Sequence, residues 1–270
     1  MAQEYGLEMM KLGSELDGKP FDAQTSDDIK LFYRGLREKK DSKTYAANAD
    51  MFLNAFKRIL KQGKDILYLA FSSALSGTYN AAVVASHELS EEYPERKIYV
   101  FDTKCASYGE GLLVYLAALK KEAGASIDEV FAYVEEIRPH LCHWFTVDDL
   151  FFLKRGGRVS AATAVVGSML SIKPVLHVDD EGRLINVGKA RGRRNAINEL
   201  FQHMKNTAIA PSEQTVFISH GDCIEDAELL AEMIRKEFSP KEIKISEIGP
   251  VIGAHSGPGT LALFFLGTER

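Results

Sequence analysis

Cysteine is scarce. The 270-residue chain has three, Cys105, Cys142 and Cys223, an odd number set far apart with no CxxC and no Cys/His zinc spacing, which excludes a disulfide framework or structural zinc as the source of stability and points to a reducing compartment. No cationic apolar leader opens the sequence, and no apolar run nears the ~20 residues of a membrane span. The expected location is therefore cytoplasmic. An excess of positive charge is lacking too: a net charge of −5 argues against a protein that holds nucleic acid by its backbone. There is no GxxxxGK[ST] phosphate loop and no GxSxG elbow, so two frequent marks of enzymes acting on nucleotides or esters are missing. The seven histidines are scattered, and Asp148-Asp149 has no neighbouring ligand, so neither a metal nor a cofactor is expected.

What is present centres on Lys64 to Asn80, KDILYLAFSSALSGTYN. Ile66 to Phe71 is a short apolar run rich in strand formers, as in a strand covered on both faces. The run stops at Ser72 and Ser73. Ser76-Gly77-Thr78 then starts a helix through Ala81, Val84 and His87, collecting hydroxyls and free amides at a helix N-terminus, where anions bind. Plain capping by Ser76 or Thr78 explains the segment equally well.

Upstream, Gly6 to Leu12 reads as a strand, Asp17-Gly18 as a turn, and Thr25 as the start of a helix with Asp27 and Asp28 in its first turn. Ser42 to Asn48 reads as irregular, with Thr44 in a loop, before a helix with Phe52, Phe56, Ile59 and Leu60 on one face. Downstream, Ile98 to Phe101 is a second strand, leading to a helix with Leu112, Leu116 and Leu119. Ser126 and Glu129 have capping-box spacing, and His143 to Val147 is a third strand, with Cys142 and Trp144 read as core. These alternations predict a mainly parallel, helix-covered sheet over residues 1–150.

The texture changes at LFFLKRGGRVS, where Lys154, Arg155 and Arg158 precede the small-residue segment Ala161 to Gly167. Residues 151–270 read as α+β: a hairpin of Lys173 to Val178 and Leu184 to Ala190, a basic knot of Arg191, Arg193 and Arg194, and two further strand and helix segments. Arg193 and Arg194 read as ordinary solvated charges. Gly249 to Thr260, GPVIGAHSGPGT, packs four glycines and two prolines around His255. A histidine so framed can approach a ligand closely and partner an anion, although a solvent-facing loop histidine also fits.

Together LSGTYNAA, FFLKRGGRVS, SIKP, KARGRRNA and GPVIGAHSGPG, in this order, resemble the DegV family, the fatty-acid-binding subunits of bacterial fatty acid kinases. The resemblance runs from about residue 5 to the C-terminus. It implies a two-domain protein, 1–150 α/β and 151–270 α+β, with one long-chain fatty acid between them. By motif position the carboxyl group would lie on Thr44, Ser76 and His255, Arg191 would lie near the acyl phosphate, and Arg158 would dock the kinase subunit. Catalysis would reside on that separate ATP-binding kinase, leaving this chain a carrier in phospholipid synthesis, without membrane insertion but with transient membrane-surface contact. Two departures stand out. The family opens with a strand and an Asp-Ser turn upstream of Glu4-Tyr5-Gly6, so the N-terminal strand is expected to be missing here. The family also continues Thr-Ser-Gln-Pro where this chain has Thr44-Tyr45-Ala46-Ala47. Two other readings are a serine hydrolase acting on a lipid or ester through Ser76, His255 and Asp102, and a DNA-binding regulator resting on Arg191 to Arg194.

Overall fold

The computed structural model describes residues 1–160 and 171–270, and the small-residue segment Ala161 to Gly167 lies outside the described residues. The first ladder is β1 (Gly13–Leu16), not Gly6 to Leu12. It pairs antiparallel with β2 (Lys19–Pro20) and β3 (Ser42–Tyr45). Asp17 and Gly18 turn the hairpin with φ of 55° and 72°, the paired positive values that suit strand twist. Thr44 is therefore a strand residue opposite Ser14, not a loop residue. GSEL and SKTY carry too few apolar residues to announce these strands.

Helix α1 (Ser26–Arg37) starts at Thr25, whose side chain accepts from Asp28 N–H while Asp28 returns a bond to the Thr25 backbone, a reciprocal cap. Its Phe32, Tyr33 and Leu36 pack both with the neighbouring Leu16 and Phe21 and with Ala254 of the second half. α2 (Ala49–Leu60), capped by Asn48, packs with β4 (Ile66–Ala70) and α3 (Thr78–Glu92) through Phe52, Phe56, Ile66 and Leu89. β5 (Ile98–Asp102) pairs parallel with β4. α4 (Tyr108–Glu122) and α5 (Ile127–Ile137) follow, the latter with the expected Ser126/Glu129 capping box.

The third expected strand forms as β6 (Leu141–Thr146), but it leaves the parallel pair. After α6 (Phe151–Arg155) come β7 (Ile172–Val178), β8 (Leu184–Arg191), α7 (Arg193–Thr207), β9 (Thr215–His220), α8 (Ile224–Phe238), β10 (Glu242–Glu247), α9 (Pro250–Ser256) and β11 (Leu261–Leu266). One six-stranded sheet runs β10-β9-β11-β6-β7-β8, with β6 antiparallel to both β11 and β7. Only β9 and β10 are parallel in it. All six residues of β6 are buried, because Leu141 and Phe145 face α4 and α5 whereas Cys142 and Trp144 face α7 and α8. A strand covered on both faces loses its alternation, so its composition does not reveal which strands it joins. The resulting architecture is a mixed α/β fold in which helices from the first half cover one face of a sheet that joins β6 to five strands of the second.

Two close approaches lock these layers. A Cβ on Gly109 would stand 2.0 Å from His143 Nε2, so α4 lies directly on β6. His143 is buried, its Nδ1 donates to Leu141 O at 3.0 Å, and its Nε2 accepts Ala106 N–H at 3.3 Å. Burial holds it neutral, far below the usual histidine range. At the β7–β8 turn, Ser72 Oγ donates to Gly182 O at 2.8 Å, tying the hairpin tip to the loop after β4. Arg193 is no free solvated charge: its Nε donates to Asp226 at 2.8 Å and its Nη1 lies 3.8 Å from Asp148. Arg194 is exposed as expected.

Candidate functional site

Between the β4–β5 pair and the six-stranded sheet lies a cavity of about 1310 Å³. Its walls are mostly apolar, with Leu67 and Leu69 of β4 facing Phe145 of β6 and Ala262 and Phe264 of β11. Thr44, Ser76, Thr78, Arg158 and His255 also line it. Four chain regions deliver this polar group: β3 brings Thr44, the turn into α3 brings Ser76 and Thr78, the segment after α6 brings Arg158, and α9 brings His255.

His255 stands on a helix rather than in a loop. Pro250 occupies the first turn after the extended Gly249, the position where its missing N–H costs nothing. Gly257 and Gly259, at φ of 79° and 76°, turn the chain after the helix. His255 Nε2 lies 2.8 Å from Thr44 Oγ1, and Nδ1 is buried without a hydrogen-bond partner. A Cβ on Gly156 would stand 2.3 Å from Nδ1, so the ring is seated against a backbone that only glycine leaves open. An orphaned buried donor is costlier than an orphaned acceptor, which assigns the ring proton to Nε2. Nε2–H then donates to Thr44 Oγ1, and the Thr44 hydroxyl hydrogen is free for a ligand.

The second hydroxyl pair is Ser76 Oγ and Thr78 Oγ1, 2.8 Å apart. Gly77 is the N-cap and offers no side chain, while Ser76 Oγ accepts Thr78 N–H at 3.3 Å. Ser76 thus contributes to the helix start and still lines the cavity. Arg158 ties the parts together: its Nε and Nη2 donate to Leu75 O at 3.1 and 3.0 Å, and its Nη1 donates to Gly156 O. Arg155 donates to Ser42 Oγ at 2.9 Å and lies over the Phe152 ring, bracing β3 against α6. Burial, with Arg158 and Arg155 nearby, pulls the His255 pKa down to about 4. The imidazole is neutral at pH 7, and Arg158 has no carboxylate partner among the described residues. Hydroxyls, a neutral imidazole and an uncompensated guanidinium at the wall of an apolar cavity suit an anion with an apolar body.

A family model described as an uncharacterised protein of the DegV family matches residues 1–268. The chain belongs to the DegV family. A DegV domain-containing protein of Clostridium perfringens is 54% identical over 241 residues, 89% of this chain and 83% of that protein. Among solved structures, a DegV lipid-binding protein of Thermotoga maritima superposes with a TM-score of 0.85 at 30% identity, covering 100% of this chain and 94% of that one. The fatty-acid-binding DegV family protein of Thermus thermophilus gives 0.86 at 28% identity, covering 99% and 94%.

In this DegV protein Thr44, Ser76 and His255 line one cavity, joined there by Arg158. Arg158 is half-buried at the cavity wall, whereas Arg191 is exposed at the end of β8 and does not line it. The hydrolase constellation is not assembled. Ser76 pairs with Thr78, His255 with Thr44, and Asp102 accepts from Ser73 Oγ at 2.5 Å. No cluster of three metal-ligating side chains occurs among the described residues, and none of their helices is long and apolar enough to cross a membrane. Two residues, one seating His255 and one in the cavity wall, carried no distinctive mark in the sequence. Gly156 had only the GG dipeptide as its mark. Glu110 sat in a helix first turn, where an acidic residue is ordinary, yet it lines the cavity and burial pushes its pKa up to about 8.

Proposed function

We propose that this chain binds one long-chain fatty acid in the cavity, between its halves 1–150 and 151–270, with the carboxylate on Thr44, Ser76 and His255. The observation that carries the reading is the joining of two hydroxyl pairs, a neutral imidazole and Arg158 to an apolar cavity of about 1310 Å³. Its support from relatives is the fatty acid bound by the Thermus thermophilus protein. A tail of about sixteen carbons gains roughly 10 kcal/mol on burial, at about 0.8 per methylene, before immobilisation is subtracted. A carboxylate buried without donors would forfeit several kcal/mol of that. The Thr44 and Ser76 hydroxyls meet its two oxygens, and Arg158 offsets its charge.

The resemblance in the motifs extends the proposal. The chain is a carrier that presents the bound carboxyl group to a separate ATP-dependent kinase subunit in the cytoplasm, which forms the acyl phosphate. Arg191 would then meet the phosphoryl group and Arg158 the kinase, a reading supported by the bond from Arg158 to Leu75 O, one residue before Ser76. Native mass spectrometry of the purified protein, followed by solvent extraction, tests the binding: a stoichiometric fatty acid supports it, and a protein that is empty and takes up no added fatty acid contradicts it. Acyl phosphate formed only when protein, kinase subunit and ATP are combined tests the presentation. A kinase that phosphorylates the free acid equally well without this chain would contradict it.

A further inference from the structure

Tyr33 does not itself line the cavity; it is fully buried, with its hydroxyl donating to the carbonyl of cavity-lining Ile248 at 2.9 Å across 215 residues of sequence. Ile248 immediately precedes Gly249, where α9 begins. The phenol ring occupies a slot shaped by glycine: a Cβ on Gly253 would stand 2.7 Å from the Tyr33 hydroxyl oxygen, and one on Gly221 would stand 3.1 Å from it. One turn along α1, Arg37 pairs with Asp222, next to Gly221. α1 is thus anchored at two points, to the chain entering α9 and to the loop between β9 and α8, and its Phe32, Tyr33 and Leu36 enclose Ala254, the residue before His255.

The imidazole is correspondingly hemmed in. Gly156 closes one side of the ring, Thr44 takes Nε2 on the other, and Tyr33 fixes the helix that carries it. We infer that Tyr33 is a positioning residue: it touches no ligand, and through the Ile248 carbonyl and Gly253 it sets where His255 stands between Gly156 and Thr44. A displacement of α9 by a fraction of an ångström acts directly on the 2.8 Å Thr44–His255 contact, because hydrogen bonds weaken steeply outside their narrow distance range. The effect on ligand rests on the fatty acid reading, whereas the effect on the imidazole does not.

The test is Tyr33→Phe, which keeps the ring and removes only the hydroxyl, with Ile234→Val as a control in the core around α7 and α8, whose buried residues do not line the cavity. Two-bond ¹H–¹⁵N spectra of the imidazoles at pH 7 should show His255 fixed with its proton on Nε2 in the wild type and exchanging between tautomers in Tyr33→Phe. Affinity for palmitate should fall roughly three- to ten-fold, the worth of one hydrogen bond. Ile234→Val should alter neither reading despite lowering stability. Gly253→Ala should weaken binding, and adding Tyr33→Phe should restore part of it by removing the oxygen that the new methyl meets. Tyr33→Phe that loses stability as Ile234→Val does while keeping the wild-type His255 spectrum and affinity would overturn the inference. A changed His255 spectrum in a protein whose wild type binds no palmitate would uphold the positioning and reject the fatty acid reading.

Discussion

Replacing Gly156 by Ala separates ligand binding from folding stability. Gly156 has φ −73° and ψ −8°, ordinary helical values, so alanine introduces no backbone strain and gains about 0.4–1 kcal/mol from a less flexible unfolded chain. The new methyl, however, would stand 2.3 Å from His255 Nδ1, so the ring must retreat by about 1 Å to restore van der Waals contact. The Thr44–His255 contact, 2.8 Å in the native site, then passes beyond hydrogen-bonding distance. The Thr44 hydroxyl is no longer oriented toward the ligand, and a bond to a charged oxygen is lost, worth roughly 1.5–3 kcal/mol or about ten- to a hundred-fold in Kd. Calorimetric titration with palmitate, beside thermal melts of both proteins, reads the two effects separately. Gly156→Ala that binds as tightly as the wild type would refute the placement of His255 in the head-group site.

Other consequences follow from the buried ionisable groups. Burial lowers the pKa values of His143, His177, His203, His220 and His255, so the unfolded chain binds more protons below pH 6.5. The histidine contribution to stability should be complete above that pH and fall as acid is added toward pH 4, measured by urea melts, with His143→Gln flattening part of the decline. Glu110 has the opposite sign. Its folded value of about 8 lies above the ordinary 4.5, so the native state holds the extra proton and stability should decline as pH rises between those values, by up to about 1.4 kcal/mol per pH unit. Glu110→Gln should remove that slope in the same melts, and an unchanged slope would show the carboxyl to be hydrated.

The elements that could be read from the sequence are those whose signals are local. The Thr25 and Ser126 caps, the Asp17-Gly18 turn and the strand–turn–helix around Ser76 depend on neighbours within a few residues, and each forms where expected. The failures are non-local. β6 carries no trace of its partners, which lie more than a hundred residues away in β11 or beyond α6 in β7. Thr44 acquires its strand from pairing with Ser14, not from its own polar segment. At the site, Ser76 and His255 were identifiable because glycine-rich turns frame them. The seat that Gly156 provides for the imidazole and the brace that Tyr33 provides for α9 exist only once residue 156 meets 255 and residue 33 meets 248 and 253 in space.

The central claim is that the cavity recognises a carboxylate through Thr44, Ser76 and His255 and not merely an apolar chain. Titrating palmitate and its methyl ester into the wild type and into the Ser76→Ala/His255→Ala double variant tests it directly. The account predicts stoichiometric, tight binding of the acid to the wild type, much weaker binding of the ester, and near-equal weak binding of both to the double variant. Equal affinity of acid and ester for the wild type, or undiminished binding of the acid to the double variant, would contradict it.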